Sequence, residues 1–333
     1  MRQNNLFLLL FLVVILLLLG SCSGDNITSD STAVKSENNA PVTTSLPIIG
    51  TENDKDVPLQ LNSAFDVCPS EQGVTIPSSS YITGTLLAVN EYQLYRYGIS
   101  SLCPASGISS SVSIMKEQGL IRLYGNKSQN YTLASSQIFL KEDAFQPWEN
   151  LMAAFVAQTG KKTVQIVSAY VYSDDESLAS PYVTGYALAV NLYENGANYS
   201  LASPEKTVTV NGKTMTCLDW FQDNCVKFGF VYTGLEGSQA KTLATFYYVG
   251  IPHALAMQRL DYVDVKEYSN FLRYYSSVHT VTDFDSGITW TIDYYPAETD
   301  KFLTKILIPK GAVYTVSGDN IGGFVVAYYI PQS

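Results

Sequence analysis

Runs of β-branched and aromatic residues, scattered without regular alternation among a few amphipathic helical stretches, constrain this chain most. TVQIVSAYVYS (Thr163–Ser173), ATFYYVG (Ala244–Gly250) and GGFVVAYYI (Gly322–Ile330) have strand composition, as does GTLLAVNEYQLYRYGI (Gly84–Ile99). Between them, Trp148, Leu151, Met152, Phe155 and Val156 fall on one helical face. Pro147 suits the first turn of that helix and Gly160 its stop. A second helical period runs from Cys217 to Phe228, and a third places Val265, Tyr268, Phe271, Leu272 and Tyr275 together. Asn211-Gly212 between apolar flanks predicts a tight hairpin. Helices and strands that do not alternate predict an α+β fold rather than a doubly wound one.

The first residues set a different constraint. Arg2 precedes an unbroken apolar run from Leu6 to Leu19, then Gly20-Ser21-Cys22. Such a run is short of the roughly 20 residues of a spanning helix, and its flanks read as a secretory signal. The order Leu-Gly-Ser-Cys resembles a bacterial lipobox, which predicts lipidation of Cys22. The alternatives are an ordinary signal peptide with an incidental cysteine, or an uncleaved anchor. The reading predicts a signal peptide at 1–21 and a polar tether at 22–62. The latter is rich in Ser, Thr, Asn, Asp and Pro and too poor in apolar residues to offset chain entropy. The folded part is predicted to run through 63–135 and a core at 136–275. A small β appendage is expected at 276–333, where GITWTIDYYPA, TKILIP and AVYTVSGDN read as short strands.

Charge and cysteines exclude several functions. A net charge of −10 argues against nucleic acid and polyanionic wall polymers as partners. Cys68, Cys103, Cys217 and Cys225 form no CxxC pair, so a structural zinc site is not expected. Eight residues along one helix separate Cys217 from Cys225 by about 12 Å, beyond the roughly 7 Å reach of a disulfide. Cys68 and Cys103 either pair in an extracytoplasmic compartment or remain two thiols.

The segment order resembles the VanY-type D-alanyl-D-alanine carboxypeptidases. The similarity covers Gly84 to Tyr275 and rests on Ser168-Ala169-Tyr170, Ser180, Thr184-Gly185, Trp220, Phe228-Gly229-Phe230, Tyr248-Val249-Gly250 and Pro252-His253-Ala254. The resemblance implies a DD-carboxypeptidase-like domain of the hedgehog/DD-peptidase type, an antiparallel sheet with packed helices, and a zinc ion held by two histidines and an aspartate. It also implies a glutamate base and an Arg and Gln that hold the peptide. By the same resemblance the ligand positions fall on Tyr182, Ala189 and Thr245, and the base on Thr242. The peptide-holding positions fall on Val171 and Glu176.

Those replacements carry chemical consequences. A catalytic zinc needs three donors, usually imidazole, thiolate or carboxylate. A tyrosine is neutral at pH 7, a threonine is a weak neutral donor, and an alanine offers no lone pair. Without the ion, water keeps a pKa near 16 and the metal-generated nucleophile is lost. The chain has two histidines, His253 and His279. The first reads as a hydrogen-bonded structural residue near a helix start. A relocated metal site built from Asp174, Asp175, Glu176 and His253 is weighed against a solvated acidic turn, the commoner reading.

Other catalytic motifs are incomplete. Ser113-Ile-Met-Lys116 lacks its S-D-N and K-T-G partners, no G-x-S-x-G elbow occurs, and Asn211-Gly-Lys-Thr214 is too short for a phosphate loop. The expectation is therefore a lipid-anchored pseudoenzyme on the extracytoplasmic side of a bacterial membrane, with no zinc. Its cleft of Tyr170, Glu176, Tyr182, Tyr247 and His253 would bind a peptidoglycan stem peptide or an envelope protein. The competing expectations are an active zinc carboxypeptidase with unusual ligands, and a structural surface lipoprotein without ligand.

Overall fold

The strand-forming runs pair into two sheets and three short ribbons in a computed structural model that describes residues 61–62, 71–82, 84–87, 119–170, 180–237, 242–275 and 278–331. Cys22, Cys68, Cys103, Ser113–Lys116, Val171, the acidic residues 174–176 and most of Gly84–Ile99 lie outside the described residues. Gly84–Leu87, from that last run, is not strand.

The N-terminal elements are β1 (Leu61–Asn62), β2 (Glu71–Pro77), β3 (Leu120–Arg122), β4 (Thr132–Leu133), β5 (Phe139–Lys141) and helix α1 (Glu142–Thr159). There follow β6 (Val164–Ser168), β7 (Ala187–Glu194), β8 (Ala197–Tyr199), β9 (Thr207–Val210), β10 (Lys213–Thr216) and α2 (Cys217–Asn224). Next come β11 (Phe230–Glu236), β12 (Leu243–Tyr248), α3 (Ile251–Arg259) and α4 (Val265–Tyr274). The last strands are β13 (Val278–Asp283), β14 (Ile288–Pro296), β15 (Leu303–Pro309), β16 (Val313–Gly318) and β17 (Gly323–Tyr329). No helix among the described residues is long and apolar enough to cross a membrane.

The central sheet has the order β11-β12-β7-β6-β4, antiparallel except for the β4–β6 pair. Strand period two divides β12, so that Ala244 and Phe246 face one way and Leu243, Thr245 and Tyr247 the other. Phe246 meets Trp148 of α1 and Phe221 of α2, with ring centroids 6.4 and 5.5 Å apart. Trp148, Leu151, Met152 and Phe155 are fully buried, as the helical period predicts. The helix begins earlier than the sequence indicates, so Pro147 lies inside it rather than in its first turn. Two causes set that start: Glu142 and Asp143 complement the helix dipole, and the Glu142 N–H donates to the Gly119 carbonyl at 2.8 Å.

Asn211 and Gly212 take φ of 52° and 80° and join β9 to β10 in a two-residue turn, the hairpin expected from the dipeptide. In α4, Val265, Tyr268, Phe271 and Leu272 are buried; the helix ends at Tyr274, and Tyr275, 40% exposed, keeps its ring 5.1 Å from Phe271. Cys217 and Cys225 are free and buried, in agreement with their spacing.

The second sheet has the order β1-β13-β14-β17-β16, while β15 pairs with β2. Val325 and Ala327 of β17 join the main core with Val281, Ile292 and Tyr294. Phe324, Val326 and Tyr328 join a second core with Ile306 and Ile308. The β16–β17 corner is built on Asp319, which is fully buried. Its Oδ1 accepts the backbone N–H groups of Ile321, Gly322 and Gly323 at 2.8, 2.9 and 2.9 Å, and its Oδ2 accepts the Tyr294 hydroxyl at 3.1 Å.

Candidate functional site

The segment SPYVTG turns the chain into β7. Ser180 Oγ accepts the Tyr182 N–H at 3.4 Å, Pro181 fixes the next φ, and Thr184 Oγ1 donates to the Pro181 carbonyl at 2.8 Å. Gly185 closes this 3₁₀ turn at φ +79°, and a Cβ there would lie 2.8 Å from Leu120 Cδ2. The left-handed backbone favours glycine, and a side chain there would also have to displace Leu120. Gly185→Ala is expected to cost about 2 kcal/mol in urea unfolding. A cost within experimental error of zero would show that the turn relaxes freely.

Four strands then bring one residue each into a lateral row. Ser168 of β6 opposes Ala189 of β7, Ala189 opposes Thr245 of β12, and Thr245 opposes Gly234 of β11. A register shift lies at each end of the row, between Ile166 and Ser168 and between Tyr232 and Gly234. Such bulges re-aim side chains and occur often beside active sites. Directly opposed residues hold their Cβ atoms about 5 Å apart, so the Ala189 and Thr245 positions address one point.

The groups at that point are all engaged or absent. Ala189 is buried and carries no donor. Thr245 is buried, and its hydroxyl donates to the Gly234 carbonyl at 3.0 Å and meets the hydroxyl of Thr233, the bulged residue, at 2.9 Å. Tyr182 reaches the same strand end and donates its hydroxyl to Glu236 Oε2 at 3.0 Å. Burial, then the charge and hydrogen bond of Glu236, holds this phenol well above its ordinary range, so it stays protonated. Sequence reasoning missed Glu236 and Thr233. No sequence motif singles them out, and the bulge that aims Thr233 leaves no local signature.

The remaining candidates divide. Thr242 stands half-buried directly before β12, while Val171 and Glu176 lie outside the described residues. Tyr170 is half-buried, and its backbone N–H donates to Phe139 of β5 at 3.0 Å. Tyr247 is buried with its ring 6.3 Å from Tyr186. His253, in the first turn of α3, is 2% exposed, with Nδ1 3.2 Å from the Tyr268 hydroxyl. It is the structural histidine expected at a helix start. His279 Nε2 donates to the Tyr275 carbonyl at 3.2 Å.

Burial pushes His253 down to about 3 and lowers His279 as well. Because the folded value lies below the unfolded one, near 6.5, stability is lost as pH falls below about 6.5. Each buried neutral histidine is expected to contribute a slope of up to about 1.4 kcal/mol per pH unit there. Burial raises Asp143, which opposes this trend at lower pH. His253→Gln should flatten the slope between about pH 6 and 4.5; an unchanged slope would refute the assignment.

No group of three or more His, Cys, Asp or Glu able to hold a metal occurs among the described residues. At Tyr182, Ala189 and Thr245, where the resemblance places the ligands, zinc would meet a protonated phenol, a methyl group and a bonded hydroxyl, a donor set that does not fit the ion.

No family model matches the chain. A D-alanyl-D-alanine carboxypeptidase of Enterococcus faecium is 26% identical over 271 residues, spanning 78% of this chain and 79% of that protein. Among solved structures, the vancomycin-resistance D,D-dipeptidase VanXYg, crystallised with a D-Ala-D-Ala phosphinate analogue, matches with a TM-score of 0.55. Its sequence identity is 20%, and the match covers 78% of this chain and 99% of that one. The fold is thus α+β and similar to that of the DD-dipeptidase, with antiparallel sheets and few helices.

Proposed function

We propose that this chain is a DD-peptidase-like protein that recognises peptides ending in D-Ala-D-Ala and does not hydrolyse them, anchored through Cys22 on the extracytoplasmic side of a bacterial membrane. One observation carries the reading: the row Ser168–Ala189–Thr245–Gly234 keeps a bulge-flanked frame while its central members supply neither metal ligand nor base. Similarity to a D-alanyl-D-alanine carboxypeptidase supports the substrate class. A frame without its chemistry can still present backbone and side-chain polar groups to a peptide. Fold alone does not fix function, so the peptide must be tested directly.

The test is calorimetric titration of the full chain with acetyl-Lys-D-Ala-D-Ala, with metal content and D-alanine release followed in parallel. Saturable binding without D-alanine release is expected, and absence of binding overturns the proposal. Stoichiometric zinc with turnover lost to a chelator would establish an active carboxypeptidase instead. A second reading, a structural surface lipoprotein without ligand, draws support from the burial of Tyr247 and His253, which fill the expected cleft. Failure to bind the peptide, or capture of a defined envelope protein in its place, would favour those other roles.

A further inference from the structure

The face of the central sheet that presents Ala189 and Thr245 continues along β7 to Asn191, two residues on. Asn191 opposes Gln165 of β6, and these two amides are 6% and 8% exposed. Asn191 Oδ1 is buried with no hydrogen-bond partner. Val190 and Leu192, on the opposite face, are buried in the main core. An asparagine in this strand therefore costs stability, because nearly all buried polar atoms in folded proteins are paired and an unpaired one retains its full desolvation penalty. A leucine of similar size would avoid that penalty.

The surroundings indicate what completes the amide. Ala244 opposes Val190 and Leu243 opposes Glu236, so one further step in register sets Asn191 beside Leu243 and the strand end that carries Glu236. The orphan acceptor thus adjoins the emptied row instead of lying elsewhere in the core. An amide oxygen requires an N–H or O–H donor. β7 is paired on both sides, so a peptide would have to approach Asn191 across the face of the sheet, where its main-chain N–H groups are donors of the kind the amide oxygen lacks.

We propose that Asn191 Oδ1 accepts a backbone N–H of a bound peptide, making the Gln165–Asn191 pair the peptide-positioning part of the site. The proposal rests on the peptide-binding reading above. It makes Asn191 a specificity-determining residue whose cost in the free protein is recovered on binding.

Asn191→Leu and Asn191→Ala test it in the full chain, by thermal unfolding and by titration with acetyl-Lys-D-Ala-D-Ala. Asn191→Leu is expected to raise the Tm by about 2 °C or more and to weaken peptide binding at least about tenfold. Asn191→Ala should weaken binding to a similar degree without the gain in Tm, which separates affinity from stability. Wild-type affinity in both variants would overturn the inference and leave the peptide-binding reading in place. Absence of peptide binding by the wild type would overturn both. A lower Tm for Asn191→Leu also overturns it, because an acceptor that stabilises the free protein is already satisfied.

Discussion

Tyr182→His, Ala189→Asp and Thr245→His together are expected to let the chain hold one zinc ion, with the wild type measured alongside. The expectation follows from the directly opposed Ala189–Thr245 pair and from the arrival of Tyr182 at the same strand end. Opposed β residues keep their Cβ atoms about 5 Å apart, a separation from which two ligands can reach one metal. Three protein donors complete the set a catalytic zinc requires. An affinity in the micromolar range or tighter, about 8 kcal/mol, should result.

Before metal is added the triple variant should be less stable than the wild type, because it buries a carboxylate and an imidazole where Ala189 and Thr245 are buried. Zinc at about 100 times its dissociation constant should return about 2.7 kcal/mol. Metal analysis after dialysis and thermal unfolding with and without zinc decide the matter. A folded triple variant that stays metal-free would show that the three positions do not address one point, and the correspondence with the zinc enzymes would fall with it. No hydrolysis is expected from this variant, since Thr242, where the resemblance places the base, is unchanged.

Asp319→Ala should lower stability by about 4 kcal/mol, among the largest effects of any single substitution in this chain. Three backbone N–H groups and the Tyr294 hydroxyl would lose their shared acceptor, a fully buried carboxylate. Such a corner must be rebuilt or left with orphan donors, and either outcome is costly. Tyr294→Phe, which removes one donor and leaves the carboxylate bonded three times, should cost about 1 kcal/mol. Urea midpoints measure both. An Asp319→Ala loss below about 1 kcal/mol would mean that the corner is not a fixed part of the fold.

How much of this was readable from residue order differs between elements. Period two in the strands, the helical faces of α1 and α4, and the Asn211-Gly212 hairpin are local properties, and the chain states them directly. Pro147 misplaced the start of α1 because the contacts that begin the helix, through Gly119, come from another segment. Residue order names candidate positions but not their arrangement. Ala189 and Thr245 are 56 residues apart by number (245 − 189), and their opposition depends on which strands neighbour each other. The partner of Tyr182 was equally hidden, because Glu236 reaches it from a different strand. Alternation along β12 sets Tyr247 and Thr245 on one face but does not say what covers that face. Burial of Tyr247 and His253 therefore emerges only from the structure.

Strand β17 closes two cores at once. It sits between β14 and β16, turning Val325 and Ala327 to one side and Phe324, Val326 and Tyr328 to the other. During synthesis the chain is delivered from its N-terminus, so neither core has its shared wall until residues near 329 have emerged. The pairings of β1 with β13 and of β2 with β15 impose the same delay, joining residues more than two hundred positions apart. Long-range closure of this kind slows folding and prolongs exposure of unpaired strand edges. A frameshift that removed only β17 would yield a chain that is nearly whole in length yet has no completed interior in which to fold.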